Sequence, residues 1–206
     1  MKLISIEGNI GSGKSTLIKE LSDLNRNIIF VQEPVRIWNT VVDSSGVTIL
    51  EKYYSDQKRY AFSFQMMAFI TRVKQLSDII NCFGKDSDIT VITERCVFTD
   101  REIFAKMLFD SGKIEEIEYS IYLKWFDHFV QDMNIDFFIY LRNEPNVCNE
   151  RIALRARKGE TIPMDYLQEC HEYHERWMES IPDKKKIVVS DLSEELIEVL
   201  DRMVNS

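Results

Sequence analysis

The chain has 206 residues and a formal net charge of −8, with 45% hydrophobic and 29% charged residues. That is enough for one domain, 1–206, with a sizeable core. The acidic balance disfavours a nucleic-acid polymer held through a general basic surface, and no apolar run approaches membrane-spanning length. Four cysteines, Cys82, Cys96, Cys148 and Cys170, are widely spaced with no C-x-x-C pair. They read as free buried thiols of a reducing compartment rather than a disulfide framework or zinc site. Strand character begins at Lys2 with no leader pattern before it, so a cytoplasmic protein is expected.

The first strand is predicted at Lys2–Glu7, and Gly8-Asn9-Ile10-Gly11-Ser12-Gly13-Lys14-Ser15-Thr16 follows it. This fits G-x-x-x-x-G-K-[ST], and Leu17, Ile18 and Leu21 then recur at helical spacing. The glycines let the backbone turn its N–H groups inward around phosphate oxygens. Lys14 can reach the β- and γ-phosphates, Ser15 can hold Mg²⁺, and the helix terminus adds positive potential. A nucleoside triphosphate is the expected ligand.

Further strands are predicted at Ile28–Glu33, Ile89–Glu94, Asp136–Leu141 and Lys186–Ser190, with helical pattern between them. Such alternation implies α/β architecture: a five-stranded parallel sheet with helices on both faces. The runs at Ile89–Ile92 and Phe137–Tyr140 are apolar almost throughout, as central strands should be. Ligands gather at the carboxyl ends of strands in these sheets. There the sequence offers the phosphate loop, Glu33-Pro34 and Glu94-Arg95. A carboxylate at Glu33 can accept or orient a hydroxyl proton, Glu94 stands where such enzymes keep an acid near Mg²⁺, and Arg95 can bind phosphate or steady Glu33.

Between these ends, Asp43–Gly46 reads as loop and a long helix is predicted from about Asp56 to Cys82. Phe64, Gln65, Ala68 and Arg72 lie close to one face of it. Phe64 alone reads as core, but Gln65 and Arg72 are hard to bury without polar partners. Asp100 and Arg101 fall one to two turns beyond Glu94 if that segment is helical. A second helix, Ile114 to Val130, carries Trp125, Phe126 and Phe129, which face either a partner subunit or ordinary core. Arg151, Arg155 and Arg157 sit in an arginine-rich helix, with Lys158 and Glu160 after them and Gly159 and Pro163 bracketing a flexible turn. A mobile lid of this kind supplies cations over a transferring phosphoryl group. His171 and His174, with no third ligand in view, read as surface residues.

With these motifs on the page, the chain resembles the deoxyribonucleoside kinases, the group containing deoxycytidine, deoxyguanosine and mitochondrial thymidine kinases. The resemblance runs through the phosphate loop, Glu33-Pro34-Val35 with Trp38, Phe62–Gln65, Glu94–Arg101, Tyr140-Leu141-Arg142, the lid arginines and Ile162–Leu167. Cys96 departs from the usual serine, and the lid turn near Gly159-Glu160 is shorter than in the animal enzymes. The resemblance implies ATP-dependent phosphorylation of a deoxyribonucleoside 5′-hydroxyl with Mg²⁺, in nucleotide salvage. Glu33 would be the base, helped by Arg95, and Glu94 would serve the metal, with a lesser possibility that it is the base. Tyr54 and Glu160 would hold the sugar 3′-hydroxyl, Gln65 would bond the base edge, and Phe64 and Phe104 would sandwich the ring. Asp191 would lie by the ATP base. The resemblance also implies a homodimer packed through helices. Arg72 facing Asp100 suggests deoxycytidine or a deoxypurine ahead of thymidine.

Two other readings remain open from the residues. A nucleoside monophosphate kinase of the thymidylate type shares the architecture, although Glu33 would repel a phosphorylated acceptor. A catalytically silent, kinase-like subunit would have no need of Lys14, Ser15, Glu33, Arg95 and the lid arginines together.

Overall fold

The computed structural model describes residues 1–24, 28–131, 133–157, 160–191 and 193–204, without the side chains of 24, 201, 203 and 204. Strand β1 (Lys2–Glu7) leads into α1 (Lys14–Leu24), β2 (Ile28–Val31), α2 (Val35–Trp38), α3 (Ile49–Ser55) and α4 (Gln57–Phe83). Next come β3 (Thr90–Glu94), α5 (Val97–Thr99), a π-helical segment at Asp100–Ala105, α6 (Lys106–Asp110) and α7 (Glu116–Phe129). The chain closes with β4 (Phe137–Leu141), α8 (Pro145–Arg155), α9 (Met164–Ser180), β5 (Lys186–Val189) and α10 (Glu194–Val204).

All pairings among the five strands are parallel, in the order β2-β3-β1-β4-β5. The expected α/β sheet is therefore present, and β3 and the apolar β4 flank the central β1, with Thr90, Thr93 and Glu94 of β3 buried as well. Because side chains alternate along a strand, the sheet buries two different sets. Ile4, Ile6, Ile92, Phe137 and Ile139 pack with Leu17, Ile18 and Leu21 of α1 and Leu196 and Leu200 of α10. Leu3, Val91, Phe138 and Tyr140 face the other way, toward Phe69, Val73 and Leu76 of α4, Tyr122 and Phe126 of α7, and Met178 of α9. With one face on α1 and α10 and the other on α4, α7 and α9, loops at the carboxyl ends of β1, β2 and β3 are left to form the site.

Several expectations change. Strand β2 stops at Val31, whose register partner Thr93 is the last one β3 offers it, so Glu33 lies beyond the ladder. The Val35 amide donates to the Glu33 carbonyl at 2.8 Å, and Pro34 begins α2 rather than prolonging a strand. Helix α3 precedes the long helix. Its Thr48 side chain accepts from the Glu51 amide, and the Glu51 carboxylate accepts from the Thr48 amide, a reciprocal capping box. The break at Asp56 caps α4 through Arg59 N–H. The arginine-rich helix ends at Arg155, because Ala156 turns left-handed at φ +47°, so Arg157 stands off it. Lys158 and the expected hinge at Gly159 lie outside the described residues.

His174 is not a surface residue. It is fully buried, its Nδ1 is 2.6 Å from the Cys170 carbonyl, and its ring stacks on Tyr140. His171 is half-buried, 3.9 Å from Glu175. Phe126 is core, stacked on Phe69, whereas Trp125 and Phe129 are exposed on α7. Cys82 is exposed while the other three thiols are buried.

Candidate active site

The phosphate loop is shaped by what packs on it. At Gly11, φ is +78° and a Cβ would fall 2.5 Å from the Cys148 carbonyl of α8, so only glycine fits between the loop and that helix. Helix α1 starts at Lys14, and although Thr16 and Leu17 N–H donate to the Gly13 carbonyl at 3.0 Å, the helix terminus presents a positive end. Lys14 Nζ donates to the carbonyls of Gly8 (3.0 Å) and Asn9 (2.7 Å). Burial, with Arg95 nearby, pushes this amine down to about 7 against the pull of Glu94, Glu33 and Glu7. An arriving phosphate would oppose that shift by supplying an anion where the lysine now has two carbonyls and the Ser12 hydroxyl. Asn9 steadies the loop from within, its amide nitrogen donating to the Leu167 carbonyl of α9 at 2.8 Å.

Two cavities open on either side of Lys14. The first, about 550 Å³, is lined by Gly11, Ser12, Gly13, Lys14, Ser15 and Thr16. Around them stand Glu20, Glu94, Arg151, Arg155, Ser190 and Asp191. Arg151 Nη1 donates to the Ser12 carbonyl at 2.6 Å. Asn143, which the sequence did not single out, donates to the carbonyls of Ser12 and Ser190, both at 3.1 Å, and so ties the loop to the end of β5. The second cavity, about 70 Å³, is bordered by Ile10, Gly11, Lys14, Glu33, Glu94, Arg95 and Asp100 at its charged end. Trp38, Tyr54, Phe64, Gln65, Ala68 and Phe104 also line it, as do Arg155, Arg157 and Glu160. Gly11, Lys14, Glu94 and Arg155 border both.

Charge in the smaller cavity is paired off before any ligand arrives. Arg95 Nη1 reaches Glu33 at 2.7 Å, and Arg72 Nη2 reaches the same oxygen at 3.3 Å. Burial works to raise the Glu33 carboxyl, but Arg95, Arg72 and Lys14 outweigh it and hold it down at about 2. Arg72 does not line the cavity. It stands behind it, with Nε 2.9 Å from Asp100 and Nη1 2.8 Å from the Glu94 carbonyl. Burial, and to a lesser degree Glu33, raises Asp100 to about 6, with Arg72 and Arg95 opposing. Burial disfavours the Arg72 charge, but Asp100 and Glu33 raise its pKa overall. On the lid side Glu160, nearly inaccessible, pairs with Arg155 at 2.5 Å and Arg157 at 3.6 Å. Ser15 donates to both Glu94 oxygens, at 2.9 and 3.1 Å.

Arg95 departs from ordinary backbone geometry, at φ +61°. A left-handed conformation costs an L-residue roughly 1–2 kcal/mol, so local contacts must hold it. Its guanidinium also lies 5.0 Å from the Phe104 ring. Phe104 and Asp100 belong to the π-helical segment, a rare turn associated with functional sites.

The aromatic end is built on α3 and α4. Phe64 stacks on Tyr53 at 4.6 Å and meets Trp38 edge-on at 5.2 Å. The Tyr53 and Tyr166 hydroxyls are 2.7 Å apart and both rings line the cavity. The sequence reading passed over Leu50, Tyr53 and Tyr166. The capping box at Thr48 could have placed the first two on a helix, but nothing local joins Tyr53 to Tyr166. Gln65 Oε1 is buried without a partner in the same cavity, which leaves an acceptor for a ligand's donor.

Two cavities meeting at one lysine are what a P-loop phosphotransferase needs, with donor and acceptor on opposite sides of a single phosphoryl position. The comparisons with known proteins narrow that class. The family model for deoxynucleoside kinases matches residues 4–204. A probable deoxycytidine kinase of fowlpox virus (strain NVSL) is 44% identical over 181 residues, covering 86% of this chain and 72% of the relative. Mus musculus deoxycytidine kinase is 37% identical over 196 residues (86% and 75%), and Xenopus laevis mitochondrial deoxyguanosine kinase 34% over 194 (86% and 73%). The chain belongs to the deoxynucleoside kinase family. It is an enzyme that phosphorylates nucleosides, with a nucleoside triphosphate as phosphate donor. Among the described residues no helix is long and apolar enough to cross a membrane.

Proposed function

We propose that residues 1–206 form a single kinase domain that transfers the terminal phosphoryl of ATP to the 5′-hydroxyl of a deoxyribonucleoside, with deoxycytidine or a deoxypurine ahead of thymidine. The observation that carries this is Glu33, held by Arg95 at 2.7 Å where the small cavity approaches the phosphate loop. A carboxylate kept ionised there suits a neutral hydroxyl and opposes a phosphorylated one. The cations bordering this cavity are already engaged: Arg95 by Glu33, Arg155 and Arg157 by Glu160, Lys14 by loop carbonyls. Among the described residues, an acceptor monophosphate would have to compete with these partners.

In this reading the larger cavity takes ATP, its phosphates on the loop amides, Lys14, Arg151 and Arg155, with Asp191 by its base. Ser15 and Glu94 fit Mg²⁺, since both offer hard oxygen donors and this ion keeps most of its waters. When bound, the metal neutralises charge on the transferring phosphate. Glu33 orients the 5′-hydroxyl and accepts its proton late, because a carboxyl near 2 is a weak base and a loose transition state asks little of one. Tyr54 and Glu160 hold the 3′-hydroxyl, and Phe64 and Phe104 flank the base. The unpaired Gln65 Oε1 accepts from an exocyclic amine, with Asp100 beyond it.

Ile117, Ile121, Trp125 and Phe129 form an exposed apolar stripe on α7, at i, i+4, i+8 and i+12, and we assign it to a homodimer contact. Free thiols favour a cytoplasmic enzyme. A coupled assay with ATP–Mg²⁺ and each deoxynucleoside in turn tests the reading. Turnover of deoxycytidine or a deoxypurine above thymidine is expected. Turnover of thymidine first would reject the base assignment, and no turnover of any would reject the acceptor.

A further inference from the structure

Glu7 is fully buried at the end of β1, and no cation among the described residues lies within ion-pair distance of it. Its partners are hydroxyls: Ser5 donates at 2.5 Å, and Thr99 lies 2.8 and 2.7 Å from the two carboxylate oxygens. Ser5 and Thr99 are themselves fully buried. Thr99 has a second bond, accepting from the Cys96 amide at 3.0 Å. Cys96 is extended, at φ −131° and ψ 175°, and caps the short helix α5. Just before it stands Arg95, left-handed at φ +61°, with its own amide donating to the Ile6 carbonyl at 2.9 Å.

The left-handed turn is thus clamped on both sides by the last two residues of one strand. Ile6 holds the amide entering it, and Glu7, through Thr99, holds the amide leaving it. Strained backbone persists only when its surroundings over-determine it, and these two anchors do so. The turn matters because it sends the Arg95 guanidinium back across the phosphate loop, to Glu33 at 2.7 Å and the Gly8 carbonyl at 3.3 Å. Relaxed to ordinary φ, the same side chain would leave Glu33.

We propose that Glu7 and Thr99 are positioning residues for phosphoryl transfer, acting through the Cys96 amide to hold Arg95 in its left-handed turn. The inference rests on the reading of Arg95 as the partner that sets Glu33 at the acceptor hydroxyl. A charged side chain at position 7 is buried for its two acceptor oxygens, which one hydroxyl on β1 and one on α5 share.

A double-mutant cycle tests it. Thr99→Val removes the hydroxyl at constant shape and should lower kcat between about tenfold and 10²-fold, the cost of misplacing a catalytic group. Deoxynucleoside Kd measured without ATP should stay within about twofold, and Thr99→Ser should restore most of the rate. Glu7→Met, which has no acceptor oxygens, should fall in the Thr99→Val range. In an Arg95→Ala background Thr99→Val should cost nothing further, since residues acting through one group are not additive. An equal fold-loss from Thr99→Val in both backgrounds would make Thr99 merely structural and overturn the proposal, as would wild-type kcat in Thr99→Val. Should Thr99→Val not fold, Thr99→Ala carries the same cycle. Arg95→Ala with unchanged kcat would instead remove the reading of Arg95 on which the proposal stands.

Discussion

The two cavities are built from different materials. The smaller cavity, about 70 Å³, which we assign to the acceptor, is surrounded by side chains already bonded to one another: Arg95 to Glu33, Arg72 to Asp100, Arg155 and Arg157 to Glu160. The larger cavity, about 550 Å³, which we assign to the donor, is lined by the phosphate loop and the start of α1. Its cations Lys14 and Arg151 rest on carbonyls of the loop itself. Carbonyl contacts are easily surrendered to a phosphate, whereas a buried ion pair is broken only at a cost of several kcal/mol, ~3–5. In the proposed reading, acceptor identity is therefore set by fixed side chains, and the hold of Lys14 and Arg151 on the donor by exchangeable contacts.

That contrast orders the mutational effects. Arg155 borders both cavities, so Arg155→Ala should act on the shared phosphoryl position, with kcat falling on the order of 10³-fold. Deoxynucleoside Kd without ATP should hardly change. If steady-state kinetics show kcat held and only the ATP KM raised, the arginine belongs to the donor side alone. Glu33→Gln should cost about 10²-fold in kcat, within the range of a lost general base. Binding of the deoxynucleoside by calorimetry should fall much less, because the amide still hydrogen-bonds. Near-normal turnover would move the role toward Glu94.

Base choice is the next effect down. Arg72→Met with Asp100→Ala removes a buried pair together and so avoids stranding either charge. It should raise thymidine kcat/KM relative to deoxycytidine by about tenfold, worth ~1.4 kcal/mol, and leave ATP KM unchanged. An unchanged ratio would take base discrimination away from this pair. The last effect lies outside both cavities and leaves the rates untouched, acting on stability instead. Burial holds His174 at about 3, below its ordinary 6.5, so the unfolded chain binds a proton that the fold refuses between those values. Stability should therefore fall as pH drops from 6.5 toward 3, by up to about 1.4 kcal/mol per pH unit from this group. His174→Phe keeps the stack on Tyr140 and should flatten that slope in urea melts across the window, without moving either KM. An unaltered slope would assign the acid sensitivity elsewhere.

What could be read in the sequence follows from how local each signal is. Apolar runs placed the strands, the G-x-x-x-x-G-K-S pattern placed the loop, and helical spacing put Gln65 and Ala68 on one buried wall. The start of α3 is a local signal too, marked by the capping box of Thr48 and Glu51. Other features have no local signature. Arg95 is left-handed without being glycine or asparagine, and its amide is held by Ile6 of a distant strand. Tyr53 and Tyr166 share a hydrogen bond across 113 positions. Arg72 sits behind the cavity rather than on its wall because Asp100 and Glu33, from two other segments, draw its guanidinium there. His174 carries no sign of burial in an acidic helix until Tyr140 is laid against it.

The claim that the acceptor is a neutral hydroxyl at Glu33 is tested most directly by product analysis with γ-labelled ATP–Mg²⁺. Deoxycytidine and deoxycytidine 5′-monophosphate would be offered separately and together. The account predicts label in the 5′-monophosphate from deoxycytidine and none in a diphosphate. Label passing into a diphosphate from the monophosphate, with deoxycytidine left untouched, would contradict it.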